Sequence, residues 1–242
     1  SAPKITPIKA NRDAQSAFLA EIQASEVAPI EPVFVDYEKD MKKFQANGLE
    51  VLYAENTVND IASLTYRFNT GTEKDPALNL AFTYLSYLGT PDMSAEEIAQ
   101  RMYQIACSFS LRAGSSVTNI SLSGLNENLP EAMKIVEDLA YNAVPDENIL
   151  AALKADMLKS RADAKLNQSS CFNALQRYVF YGPEFIQKIN LSDDELLALT
   201  SEELLGKVRE LLGCQHEVIY YGPDNTAEVT ELLAAGHKTA AE

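Results

Sequence analysis

The chain has 242 residues, of which 46% are hydrophobic and 23% charged, so it is long and apolar enough to bury a sizeable globular core. Its net charge of −15 argues against nucleic acid as a partner, because an acidic surface repels phosphate, and it disfavours an anionic membrane surface for the same reason. No stretch approaches the ~18 apolar residues of a membrane span.

Residues 1–46 differ from the rest. They carry Pro3, Pro7, Pro29 and Pro32 and one short apolar-periodic run at Ala17 to Ile22. Proline fixes φ and restrains the residue before it, so "VAPIEPVF" is expected to be extended. The segment is read as a linker or lead-in with a short helix. No signal peptide is legible, and the chain reads as a piece excised from a longer protein.

From residue 47 the pattern tightens. Asn47-Gly48 is a turn signal, followed by strands at Leu49 to Asn56 and Ile61 to Gly71. In the second, Leu64, Tyr66 and Phe68 alternate with Ser63, Thr65 and Arg67, the period of a half-buried strand. "ALNLAFTYLSYLGT", Ala77 to Thr90, places Leu78, Ala81, Phe82 and Leu85 on one helical face. Ser94 with Glu97 makes a capping box for the next helix. Two strands, "SFSLRAG" and "SVTNISLSGL", follow around a turn at Gly114-Ser115-Ser116.

Beyond Glu127 the chain is mostly helical. Leu129, Met133, Val136 and Ala140 share a face, a long helix is expected from Asp146 to near Lys165, and another from Ser169 to Tyr181. Capping boxes recur at Ser192/Glu195 and Thr200/Glu203, and "HEVIYYG" is a last strand before a helix from Thr226 to Ala235. The order β-β-α-α-β-β-α-α-α-α-β-α implies an α+β domain over 47–236, a mostly antiparallel sheet with helices packed on one face. Residues 237–242 form a tail.

Candidate chemistry is sparse. Cys107, Cys171 and Cys214 are odd in number and far apart, so they form neither a disulfide framework nor a thiolate zinc site; they read as small buried hydrophobes, with one pair open to bridging in an oxidising compartment. His216 lies two residues after Cys214, but no third ligand is fixed nearby, and His237 falls in the polar tail. There is no Gly-x-Ser-x-Gly elbow and no phosphate loop. The acidic groups at Asp193-Asp194-Glu195 and Glu202-Glu203 sit at helix starts, where the macrodipole accounts for them. No self-contained active site is legible.

Four passages together carry a resemblance: "LTYRFNTGTEKDPALNLAFTYLSYLGT"; "MSAEEIAQRMYQIACSFSLRAGSSVTNISLSGLNENLPEAMKIVEDLAYNAVPDE"; "ALQRYVFYGPE"; and "HEVIYYGPDNTAEVTELL". In this order and spacing, over Leu49 to Gly236, the chain resembles one repeat of the pitrilysin/insulinase family of zinc peptidases, which includes the mitochondrial processing peptidases. The resemblance implies a LuxS/processing-peptidase-like metallohydrolase repeat. Catalytic repeats write His-x-x-Glu-His, two zinc ligands around a general base, in the helix before Gly-Thr. Counted back from Gly89-Thr90, those places hold Leu80, Thr83 and Tyr84. The third ligand, a glutamate, should fall near Lys159 to Arg161, where there is none.

The resemblance therefore implies a non-catalytic repeat, with no cofactor of its own and zinc in a catalytic repeat of the parent. Such repeats pair with others of the same polypeptide into a clam-shell around an unfolded peptide substrate. The lead-in would join this repeat, the third of four, to a preceding half. Two other readings remain: an inactive assembly subunit of the same family, or an enzyme of unrelated chemistry with clustered carboxylates in a deep cleft. A periplasmic or secreted bacterial location suits the protein type, though no residue specifies it.

Overall fold

The computed structural model describes residues 15–32 and 34–238. They divide into two units, Ser1–Val35 and Asp36–Glu242. The first contains α1 (Ala17–Ala24), capped by the Ser16 side chain and without a buried residue. No helix or strand follows in its described residues, as the prolines there require.

In the second unit a one-turn helix, α2 (Tyr37–Asp40), precedes a six-stranded sheet. Its strands are β1 (Lys42–Ala46), β2 (Leu49–Glu55), β3 (Ile61–Phe68), β4 (Cys107–Ala113), β5 (Thr118–Leu125) and β6 (Glu217–Gly222), in spatial order β1-β2-β6-β3-β5-β4. Only the β2–β6 pair is parallel. The helices are α3 (Leu78–Leu85), α4 (Ala95–Gln104), α5 (Leu129–Asn142), α6 (Glu147–Leu166), α7 (Gln168–Ile189), α8 (Asp193–Ala198), α9 (Ser201–Leu212) and α10 (Thr226–Gly236). The expected α+β architecture, a mostly antiparallel sheet with helices on one face, is the one observed.

Strand alternation decides which face is covered. Leu64 stands between Leu122 and Tyr220, and Tyr66 between Ile120 and Val218; all six are buried. With Val51, Tyr53 and Phe68 they make the floor on which α3, α5, α9 and α10 assemble a single core. The other face carries Ser63, Thr65, Arg67, Asn119, Ser121, Ser123, Ser108, Ser110 and Arg112 across β3, β5 and β4, and Leu52, Ala54, Ile219 and Tyr221 across β2 and β6. These side chains are half-buried or exposed.

Three features depart from the sequence expectations. The sheet begins inside the supposed lead-in: Asn47 (φ 52) and Gly48 (φ 77) form the turn of a β1–β2 hairpin, so the 46/47 boundary cuts through it. Five helices, not four, separate β5 from β6, because the capping boxes at Ser192 and Thr200 each open a separate helix. Finally, His237 is no part of a polar tail. It is 4% exposed, and the Asn47 amide donates to the carbonyls of Leu233 and His237, closing the end of α10 on the hairpin turn. Residues 239–242 lie outside the described residues.

Candidate functional site

The helix α3 forms because Leu78, Ala81, Phe82 and Leu85 recur at helical spacing and all four are buried. Its entry is held by Asp75, whose Oδ1 accepts from the Ala77 amide while Oδ2 pairs with Lys207 Nζ of α9 at 2.5 Å. Its exit is the Leu88-Gly89-Thr90 turn. A Cβ at Gly89 would stand 2.5 Å from the Met93 carbonyl oxygen, and the Thr90 amide donates to that same carbonyl. Gly89 thus permits the close approach through which α3 hands over to α4.

The positions that the resemblance assigned to a zinc motif do not converge. Leu80 and Tyr84 point into the core, at 2% and 0% exposure. Thr83 is exposed, and its hydroxyl donates to the Asn79 carbonyl one turn back. The Tyr84 hydroxyl accepts from the Asp146 amide at 2.8 Å and lies 2.9 Å from Ser201 Oγ. Asp146 caps α6 and Ser201 begins α9, so this phenol ties three helix ends together. Lys159 to Arg161 lie about 20 Å further along α6 at 1.5 Å per residue. Arg161 there pairs with Asp193 of α8 at 2.5 Å.

An aliphatic side chain, an outward hydroxyl and an engaged phenol do not fit a zinc ion, which takes imidazole, thiolate or carboxylate. Among the described residues no group of three His, Cys, Asp or Glu side chains is arranged to hold a metal. Nor is there, among them, a perturbed acid–base pair of the kind an acidic cleft enzyme needs. The carboxyls of Glu97, Glu195 and Glu203 are held below their ordinary range by hydrogen bonds from the cap residues Ser94, Ser192 and Thr200, and all three are exposed. A surface cavity of about 540 Å³ borders Glu97 and Glu131, but Arg101 neutralises Glu131 at 2.6 Å.

Cysteine burial divides unequally. Cys107 is buried, and desolvation pushes its thiol up; Cys171 and Cys214 are exposed, against the expectation of buried hydrophobes. All three are free.

Two features were not legible as sites. On α7, Phe172, Leu175, Tyr178, Val179, Phe180 and Tyr181 are all more than half exposed, and no residue of this helix is buried. The helix breaks at Gly182 (φ 77) before Pro183, which cannot continue it. The second feature is a buried polar chain. His216 Nδ1 donates to the Cys214 carbonyl at 2.8 Å, His216 Nε2 lies 2.8 Å from His237 Nε2, and His237 Nδ1 lies 2.5 Å from Glu137 Oε1. Tyr66 stacks on His237 at 3.9 Å, and Phe68 lies 4.4 Å from His216. The two histidines meet because the end of α10, packed on α5, brings His237 to the residue that precedes β6.

No family model matches the sequence, and no curated protein does. Solved structures do match the fold. The inactive domain of a peptidase M16 from Pseudomonas fluorescens superposes with a TM-score of 0.69 at 18% identity, over 84% of this chain and 52% of that one. The periplasmic protease PqqL from Escherichia coli gives 0.69 at 15% identity, over 95% of this chain and 29% of that one. The ferredoxin protease FusC, solved as a mutant in complex with Arabidopsis ferredoxin, gives 0.69 at 14%, over 90% and 26%. The chain has the fold of the peptidase M16 inactive domain. It spans from about half to about a quarter of the length of these structures.

Proposed function

We propose that this chain is a non-catalytic repeat of a multi-repeat zinc metalloendopeptidase, serving as structural wall and substrate-chamber surface while another repeat of the same polypeptide binds zinc and cleaves peptides. The observation that carries this reading is the filling of α3. The three motif places hold a packed leucine, an outward threonine and a tyrosine whose hydroxyl is committed to helix ends. A helix so engaged has neither ligands nor space for a metal-bound water.

Two surfaces support the chamber role. The uncovered sheet face carries hydroxyls, an amide and two guanidinium groups, donors and acceptors that suit an extended peptide of varied sequence. The exposed aromatic stripe of α7 suits a neighbouring repeat, since apolar patches of this kind are covered in assemblies. The same stripe also favours the second reading, an inactive assembly subunit whose partners lack peptidase activity.

Complementation separates the two. The purified chain is mixed with the remainder of its parent polypeptide, expressed separately, and hydrolysis of unfolded peptides is followed. Under the first reading this chain is silent, and adding it restores or raises hydrolysis by the remainder. Stable association without any hydrolysis supports the assembly subunit, and hydrolysis by this chain alone overturns both.

A further inference from the structure

The chain Cys214–His216–His237–Glu137 has a fixed proton count. The Cys214 carbonyl only accepts, so His216 must carry its proton on Nδ1. A neutral His216 then accepts at Nε2, and His237 must donate there from its own Nε2. One further proton lies between His237 Nδ1 and Glu137 Oε1. Three hydrogen bonds thus hold three protons. A fourth has no acceptor: on His216 Nε2 it would face another N–H at 2.8 Å, and on Glu137 Oε2 it would meet an atom position without a partner among the described residues.

All three side chains are nine-tenths or more buried, so an added charge there is poorly solvated. The groups facing them are few. From β3 come Tyr66, whose hydroxyl also lacks a partner among the described residues, and Phe68; from α5, besides Glu137, comes Tyr141, with Lys238 over its ring at 5.0 Å. Glu137 and His237 also border a surface cavity of about 550 Å³, which Lys134, Asp138 and Asp92 line beside them. Cys214 itself is exposed, and the hairpin turn contributes only the neutral Asn47. No buried carboxylate besides Glu137 stands among these groups to receive an added charge.

We propose that His216, His237 and Glu137 form a proton-operated clasp that holds the C-terminal end of α10 against the sheet and α5 at neutral pH and releases it in mild acid. Burial holds the His216 pKa below its ordinary 6.5, so the closed state keeps three protons where an open state with both imidazoles charged holds four. The closed form is therefore firmest near pH 6.5: in acid the open state gains a fourth proton and is favoured, and above pH 6.5 the open state, with two neutral imidazoles, holds only two. Between pH 6.5 and 5.0, one such proton favours opening by up to about thirtyfold, tenfold per pH unit.

The test is hydrogen exchange of the whole chain, with protection factors corrected for intrinsic rates at each pH. Amides of Val229 to His237 should lose roughly tenfold protection between pH 6.5 and 5.0. Those at the centres of β3 and β5 should hold theirs. The variant His216→Gln, whose amide oxygen accepts without titrating, should abolish the difference. Uniform protection at both pH values, or an unchanged difference in H216Q, overturns the clasp. Should H216Q fail to fold, imidazole ¹⁵N spectra of the wild-type chain decide: a neutral Nδ1–H tautomer of His216 at pH 7.5 that titrates below 6.5 supports the clasp, and an Nε2–H tautomer or a cation at pH 7.5 overturns it.

Discussion

Tyr84→Phe removes one oxygen and leaves the ring that fills the core. That oxygen accepts from the Asp146 amide at 2.8 Å and meets Ser201 Oγ at 2.9 Å, in a place where the tyrosine is fully buried. Its loss leaves an amide at the N-terminus of α6 without an acceptor and a serine hydroxyl at the start of α9 short of a partner. An unsatisfied buried group costs about 1–3 kcal/mol. For a domain of this size that is a fall in Tm of roughly 2–12 °C. Leu80→Ala, which opens a cavity under the same helix, should cost about 2–5 kcal/mol. Thr83→Ala should stay within about 0.5 kcal/mol, since this exposed hydroxyl only bonds back to its own helix. Urea titrations followed by circular dichroism measure all three. Position 83 costing more than position 84, or Tyr84→Phe within error of wild type, would refute a packing role for these places.

Other consequences are testable in the same preparation. Gly124→Ala should cost about 1–3 kcal/mol by overpacking, because a Cβ there would run into the Ala106 carbonyl oxygen and stand 2.6 Å from Cys107 Sγ; a neutral melting shift would contradict this strand approach. A thiol reagent at pH 8 should label Cys171 and Cys214 quickly and Cys107 only on unfolding, because burial both hides that thiol and raises its pKa; three equally fast thiols would be inconsistent with the β4 edge. In acid, Glu97, Glu195 and Glu203 should each withdraw support from a helix start. Their folded pKa values are depressed, so the contribution is present above about 4.5 and is lost as pH falls through the folded value. Replacing Ser94, Ser192 and Thr200 by alanine together should flatten stability between pH 5 and 3, and an unchanged pH slope would count against it.

Most of the architecture was legible because its signals are local. The alternation of Leu64, Tyr66 and Phe68, the boxes at Ser94, Ser192 and Thr200, and the Gly89 turn each lie within a few residues, and each appears where its pattern stands. The hidden parts depend on distant partners. The strand β1 reads "KKFQA", too short and too basic to announce itself, and it exists because β2 pairs with it around Asn47-Gly48. His237 looks like tail polarity until Glu137, a hundred residues away, and His216 close over it. The exposure of Cys171 and Cys214 likewise follows from which helix faces stay uncovered. At the motif places residue type was legible, but the split between Leu80 and Tyr84 inward and Thr83 outward was not, because it depends on the rotation of α3 over the core.

The central claim, that this repeat contributes surface while the chemistry resides in another, is tested most directly by metal content. The purified chain is dialysed against excess zinc and then buffer, zinc per chain is measured by plasma mass spectrometry, and peptide hydrolysis is assayed on the same sample. The account predicts zinc far below one equivalent and no hydrolysis above the buffer control. One tightly held equivalent, with hydrolysis that a chelator removes and added zinc restores, would contradict it.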